Sequence, residues 1–201
     1  MTKVKFCGLR RPEDIAAANR LQPDYIGFVF AAASRRCISS DTAAALRAQL
    51  APGITAVGVF VDAEPSAVAA LLQRGVIDMA QLHGHEDAAY IARLRALSTQ
   101  PILQAFRVRT EGDVQRANAS SADWVLLDAG AGQGERFDWQ LLSGVTRPYF
   151  LAGGLSPDNI AAAIAQWHPW AVDVSSGIES DGLKDERKMI RFMEQIRREE
   201  P

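Results

Sequence analysis

The stretch Val4-Lys5-Phe6-Cys7-Gly8-Leu9-Arg10-Arg11-Pro12-Glu13-Asp14 joins a short apolar run to the start of a helix. Side chains alternate along a strand, so Lys5 and Cys7 would share one side, and Gly8 would let the backbone turn away. Proline in a first helical turn, followed by carboxylates near the positive end of the helix dipole, is typical of a helix start. The stretch therefore predicts one strand followed by one helix.

The same pattern recurs along the chain, where short β-branched or aromatic runs alternate with Ala- and Leu-rich amphipathic stretches. The predicted strands are 4–7, 25–30, 56–61, 79–82, 102–106, 124–127, 149–152 and 171–174. The predicted helices are 12–21, 41–50, 65–74, 87–97, 112–119, 139–142, 157–166 and 185–197. Eight βα units predict a single-domain (β/α)8 barrel over residues 1–201, since an open doubly wound sheet would have five or six strands.

Composition excludes several classes of protein. The chain has 201 residues, 48% of them hydrophobic, and a formal net charge of −2. It has no basic field for nucleic acid or an anionic membrane surface. With two cysteines, no leader before the first strand and no apolar stretch of about 18 residues, the sequence predicts a cytoplasmic protein without a disulfide framework. Cys37 is expected to be structural.

Two strand ends carry groups suited to acid and base chemistry. Cys7 ends the first strand and Asp128 ends the sixth, before a glycine-rich stretch at 130–136. The active site of a parallel barrel lies at the carboxyl ends of its strands, so these groups could flank one small substrate. His83 also lies at a strand end and is an alternative base. A zinc site is disfavoured, because His83 and His85 lack Cys or His partners at ligand spacing.

A phosphate site is predicted by the two loops after the seventh and eighth strands. Glycines let backbone N–H groups approach an anion, and many barrels bind phosphate at these two loops. The candidate residues are Gly153, Gly154, Ser175, Ser176 and Gly177. For a substrate carboxylate the candidates are Arg36, which follows the second strand, and Arg107, which ends the fifth, since a guanidinium binds a carboxylate through two parallel hydrogen bonds.

Taken together, these segments resemble the phosphoribosylanthranilate isomerase family over almost the whole chain. The matching segments are Lys5-Phe6-Cys7-Gly8, Gly27-Phe28-Val29-Phe30, Gln81-Leu82-His83-Gly84, Ala105-Phe106-Arg107, Leu127-Asp128, 151–155 and 173–179, followed by Gly182, Lys184 and Asp185. The chain departs from the family pattern at three positions. Arg10 and Gln133 stand where threonine is usual, and Arg35 stands where proline is common.

The resemblance implies an Amadori rearrangement, which converts N-(5′-phosphoribosyl)anthranilate into an open-chain aminoketose without cofactor or metal. It implies that Asp128 protonates the ring oxygen and that Cys7, as a thiolate, removes the C2′ proton. It further implies that Arg36 binds the anthranilate carboxylate. Lys5, Gln81, His83 and Asp173 are then expected at the substrate, with Lys5 either supplying charge to Cys7 or forming an interior salt bridge.

Two rival functions share the fold. A related phosphosugar-barrel isomerase or epimerase would have the same phosphate loops, although a histidine-pathway isomerase resembles a design with two aspartates rather than Cys7 and Asp128. A catalytically silent binder of a phosphorylated ligand would need no acid and base pair. The expected partner is a small phosphorylated substrate, and the expected assembly is a monomer or a homodimer.

Overall fold

The computed structural model describes residues 1–129 and 139–198. Its eight main strands are β1 Lys3–Cys7, β2 Tyr25–Val29, β3 Thr55–Phe60, β4 Met79–Leu82, β5 Ile102–Arg107, β6 Trp124–Asp128, β7 Tyr149–Ala152 and β8 Ala171–Val174. Each strand pairs in parallel with the next, and β8 pairs with β1, so the sheet closes into a barrel. The predicted barrel is confirmed.

The helices are α1 Pro12–Leu21, α2 Ser40–Arg47, α3 Pro65–Gln73, α4 Ala88–Leu97, α5 Glu111–Asn118, α6 Ile160–Trp167 and α7 Glu186–Arg198. The crossover after β6 contains the 3₁₀ helix Trp139–Gly144, where the sequence predicts a short helix. A second 3₁₀ helix, Ser176–Ile178, follows β8 and leads into a small hairpin of β9 Glu179–Ser180 and β10 Leu183–Lys184. None of the described helices is long and apolar enough to cross a bilayer.

The start of α6 differs from the sequence prediction. The helix begins at Ile160, and residues 157–159 form a turn, so Pro157 does not lie in the first helical turn. The Asn159 side chain accepts a hydrogen bond from the Ser156 backbone at 2.8 Å and donates one to the Gly154 carbonyl at 2.9 Å. These bonds offer the backbone an alternative to a helical turn, which is how asparagine often delays a helix start.

An apolar layer closes the amino-terminal end of the barrel. Trp124 and Trp170 stack there with ring centroids 4.1 Å apart, and Phe150 packs against both rings. Aromatic pairs of this kind contribute about 0.5–1.5 kcal/mol each beyond the area they bury. Because this end is filled, the polar side chains of the interior lie toward the carboxyl ends of the strands.

Candidate active site

A cavity of about 470 Å³ opens at the carboxyl ends of the strands. Most of the predicted site residues line it. Those residues are Cys7, Arg36, Gln81, His83, Asp128, Gly153, Gly154, Asp173, Ser175 and Ser176. The glycine-rich stretch 130–136, with Gln133, lies outside the described residues. Within the described parts of the chain, no three His, Cys, Asp or Glu side chains are grouped as a metal site requires.

Cys7 is almost covered by its neighbours, with 8% of its surface exposed. Val29 and Val59 form an apolar wall beside it. Burial raises the pKa of the Cys7 thiol, because a thiolate loses hydration there, and the positive charge of Lys5 offsets the effect only in part. The thiolate, and not the thiol, is the form that can accept a proton, so a base role for Cys7 depends on the positive charge that Lys5 places beside it.

Lys5 lies beneath Cys7, fully buried, and is not among the residues that line the cavity. Its Nζ donates to Gln81 Oε1 at 2.8 Å and to Asp173 Oδ1 at 3.1 Å. Burial alone would lower the pKa of Lys5, but the charges of Asp173 and Cys7 outweigh it and raise that pKa. Lys5 thus forms the interior salt bridge that the sequence left open, and it also holds a positive charge next to the thiol.

Asp128 and His83 form a pair on another part of the rim. Asp128 ends β6, which is separated from β1 by two strands of the barrel, so Asp128 and Cys7 flank the cavity. His83 Nε2 lies 3.5 Å from Asp128 Oδ2, which is too far for a normal hydrogen bond, and this buried nitrogen has no hydrogen-bond partner among the described residues. The side chains of His83 and Asp128 are 26% and 22% exposed, respectively, and both line the cavity.

The two predicted phosphate loops lie side by side. Gly153 and Gly154 have φ angles of 95° and 66°, which residues with a side chain rarely adopt. Gly177 does not line the cavity. A Cβ at this position would overlap the Leu155 carbonyl oxygen, so Gly177 allows the loop after β8 to pack against the loop after β7. Ser175 Oγ donates to the Cys7 carbonyl at 3.1 Å, which links the loop after β8 to β1.

Sequence reasoning gave no role to Glu179 and Lys184, which lie in the hairpin after β8. Glu179 accepts hydrogen bonds from Arg36 Nε at 2.6 Å, Arg36 Nη2 at 2.8 Å and Lys184 Nζ at 2.7 Å. Burial disfavours the carboxylate, but these cations outweigh it and lower the pKa of Glu179 to about 2. Both residues lie in segments that resemble the family. Because they are far from Arg36 in the sequence, however, the sequence does not show that they contact it.

Two of the departures from the family pattern meet at this same hairpin. Arg10 Nη1 donates to the Arg35 carbonyl at 2.8 Å, and Arg10 Nη2 donates to the Gly182 carbonyl at 3.0 Å. Arg35 Nη2 in turn donates to Glu179 Oε2 at 3.0 Å. The substituted residues therefore tie the loops after β1 and β2 to the hairpin.

Arg107 lies on the far side of the cavity from Arg36. It ends β5, is exposed, and lies beside Asp128 in the register of the sheet. Together with His83, Arg107 also lines a neighbouring depression of about 730 Å³ that extends over α4 and α5. Both arginines named from the sequence therefore border the cavity.

Cys37 does not have the structural role that the sequence analysis expected. Its side chain is exposed and does not line the cavity. The expectation of a structural cysteine is wrong in that sense, because the residue lies at the end of an exposed turn after β2, where its backbone forms an isolated bridge to Val29. An exposed thiol contributes little packing energy.

Comparisons with known proteins agree with this geometry. The family model for N-(5′-phosphoribosyl)anthranilate (PRA) isomerase matches residues 4–195. The N-(5′-phosphoribosyl)anthranilate isomerase of Endomicrobium trichonymphae is 42% identical over 202 residues, which cover 98% of this chain and 99% of that protein.

Solved structures lead to the same family. Phosphoribosyl anthranilate isomerase from Thermotoga maritima superposes with a TM-score of 0.89 at 32% identity, covering 98% of this chain and 99% of that one. A phosphoribosyl anthranilate isomerase in complex with reduced 1-(o-carboxyphenylamino)-1-deoxyribulose 5-phosphate gives a TM-score of 0.87 at 33% identity, with the same coverage. A 3-hexulose-6-phosphate synthase from Salmonella typhimurium, at 15% identity, shares the fold alone. By its sequence match and its structure, the chain belongs to the N-(5′-phosphoribosyl)anthranilate isomerase family.

Proposed function

We propose that this protein catalyses the Amadori rearrangement of N-(5′-phosphoribosyl)anthranilate to 1-(2-carboxyphenylamino)-1-deoxyribulose 5-phosphate. The observation that carries the proposal is the single cavity bordered by Cys7, Asp128, Arg36 and the two phosphate loops. It offers an acid, a base, a cation for a carboxylate and backbone for a phosphate, which are the groups that this substrate requires.

In the first step Asp128, in its protonated form, gives its proton to the furanose ring oxygen. The bond between C1′ and that oxygen breaks, and the nitrogen lone pair forms a C1′=N double bond, which yields a protonated Schiff base. The cationic nitrogen then acts as an electron sink. Asp128 must hold a proton at the start, and substrate anions brought into the cavity would favour the neutral carboxyl.

In the second step the Cys7 thiolate removes the C2′ proton. The electrons of that C–H bond form a C1′=C2′ double bond, and the iminium electrons return to nitrogen, which gives an enolamine. The enol O–H then loses its proton while C1′ gains one, and the ketone results. The scheme balances as an isomerisation, without water, oxidant or reductant. The Lys5 ammonium, next to Cys7, would favour the thiolate.

The cations and glycines of the cavity are suited to the two ends of the substrate. Arg36 lies at one side, where its guanidinium can meet the anthranilate carboxylate. Gly153, Gly154 and Ser176 line the same cavity, where backbone N–H groups can approach a phosphate. With the substrate held at both ends, its C2′ and ring oxygen would lie between Cys7 and Asp128.

The direct test of this function is turnover by the purified protein. N-(5′-phosphoribosyl)anthranilate is fluorescent, so its loss can be followed continuously, and the product should have the same mass and a ketone carbon in its ¹³C spectrum. We expect saturable loss of fluorescence with formation of the ketone. Tight binding without turnover would instead support a silent binder of phosphorylated ligands.

The two free thiols support a cytoplasmic location, and a monomer or homodimer remains the proposed assembly.

A further inference from the structure

The head group of Arg36 is held by a carboxylate that the catalytic scheme does not use. Arg36 Nε and Nη2 donate to the two oxygens of Glu179 at 2.6 and 2.8 Å. This is the two-point pairing that fixes the plane of a guanidinium as well as its position. The Arg36 side chain is 19% exposed and that of Glu179 is 4% exposed, so the pair is largely shielded from water.

The pairing leaves one edge of the guanidinium for a ligand. Of its five N–H groups, Glu179 takes the one on Nε and one on Nη2. Two of the remaining three, one on each Nη, point along the edge formed by Nη1 and Nη2, and the third points back toward Cδ. The stem of Arg36 is fixed as well, because it passes close over Gly8, where a Cβ would overlap Arg36 Cδ. Both contacts therefore restrict which edge of the head group can face the cavity.

Glu179 does not cancel the positive charge at this end of the cavity. It also accepts a hydrogen bond from Lys184 at 2.7 Å and one from Arg35 at 3.0 Å, so three cations surround one carboxylate. Two positive charges remain in excess, and an anionic ligand is still attracted. The carboxylate thus orients Arg36 without removing its charge.

We propose that Glu179 is a positioning residue, which holds the Nε edge of Arg36 so that the opposite edge receives the carboxylate on the substrate's aromatic ring. This inference rests on the proposed function, because it concerns selection of that substrate. It predicts that Glu179 governs the preference for a carboxylated over a decarboxylated substrate, and not the proton transfers.

The experiment compares two substrates and two enzymes. Glu179→Gln keeps the size of the side chain, but its amide nitrogen cannot accept from Arg36, so the two-point pairing is lost. The substrates are N-(5′-phosphoribosyl)anthranilate and N-(5′-phosphoribosyl)aniline, which lacks the carboxylate, with product followed by chromatography. In the unmodified enzyme we expect kcat/KM to favour the carboxylated substrate by about 10- to 100-fold.

In Glu179→Gln we expect most of this preference to disappear through a higher KM for the anthranilate substrate, with little change for the aniline substrate. Glu186→Gln is the matched control. Glu186 binds Arg20 Nε and Nη2 at 2.8 and 2.6 Å on the outer surface, so its loss removes a similar pair away from the cavity. The control should keep the preference of the unmodified enzyme.

If Glu179→Gln fails to fold because Lys184 is left buried without its charged partner, the double variant Glu179→Gln/Lys184→Met removes that charge. The preference ratio is then read in the double variant, where effects common to both substrates cancel. Equal losses for the two substrates, with the preference retained, would overturn the inference while the proposed function stands. No turnover of either substrate by the unmodified enzyme would overturn the proposed function, and the inference with it.

Discussion

A methyl group at Gly27 should displace the proposed base, because the three atoms nearest to it all belong to Cys7. Gly27 lies on β2, directly opposite Cys7 in the register of β1 and β2. A Cβ at Gly27 would lie 2.8 Å from Cys7 Sγ and 3.1 Å from its Cα, whereas ordinary contacts begin at 3.4 Å. In Gly27→Ala the sulfur must therefore move by about 0.6 Å or more, or the two strands must separate.

The size of the effect follows from this displacement. A misplacement of about 1 Å can cost a positioned catalytic group about 100-fold in rate, so we expect kcat to fall by about 10- to 100-fold. Overpacking of a filled site costs about 1–3 kcal/mol, and for a chain of this length the melting temperature should fall by about 2–12 °C. KM should change little, since Arg36 and the phosphate loops are untouched.

The assay is steady-state loss of substrate fluorescence, together with thermal unfolding followed by circular dichroism. Gly112→Ala is the matched control, because the nearest atom to its added Cβ is Thr110 Oγ1, at an ordinary 3.6 Å. Gly112 lies exposed in the first turn of α5, where alanine should not lower the melting temperature and should leave kcat unchanged. Unchanged kcat in Gly27→Ala, with the melting temperature lowered as expected, would refute the placement of the base at Cys7.

Three further outcomes are expected. Because burial raises the pKa of Cys7 above the ordinary thiol value, kcat/KM should rise with pH above neutrality as the thiolate fraction grows, and a flat profile from pH 7 to 9 would count against a thiol base. Iodoacetamide should label the exposed Cys37 first without loss of activity, and later label Cys7 with inactivation, as peptide mapping can show. Inorganic phosphate should inhibit competitively, and Ser176→Glu should raise KM by placing a negative charge beside the anion, so an unchanged KM would argue against the two-loop phosphate site.

The barrel was predictable because each βα unit carries its own local signals. The strands β4, β7 and β8 and the helix α1 have the bounds predicted from runs of apolar residues, Pro12 and the flanking turns. Where a side chain competes locally with the backbone, the prediction failed, as at the start of α6. Helix starts are sensitive to single hydrogen bonds that periodicity does not record.

The part of the candidate site that lies at the ends of strands could be predicted from the sequence. Cys7 and Asp128 were both predicted because they end the first and sixth strands, and a parallel barrel carries its active site at these strand ends. The contact of Arg36 with Glu179 was not predictable, because it depends on how two irregular loops pack, 143 residues apart. The complete burial of Lys5 was not predictable either. The alternation of side chains along a strand shows which side of the sheet a lysine faces, but not how much of the lysine is buried.

The central claim is that Cys7 and Asp128 act as base and acid on one substrate in one cavity, and the kcat of two single variants tests it most directly. Cys7→Ala and Asp128→Asn should each lower kcat for N-(5′-phosphoribosyl)anthranilate by at least about 100-fold, the range typical of a positioned acid or base. Their melting temperatures should stay close to that of the unmodified protein. Either variant turning over at the unmodified rate would contradict the claim for that residue, and loss of activity only through unfolding would give it no support.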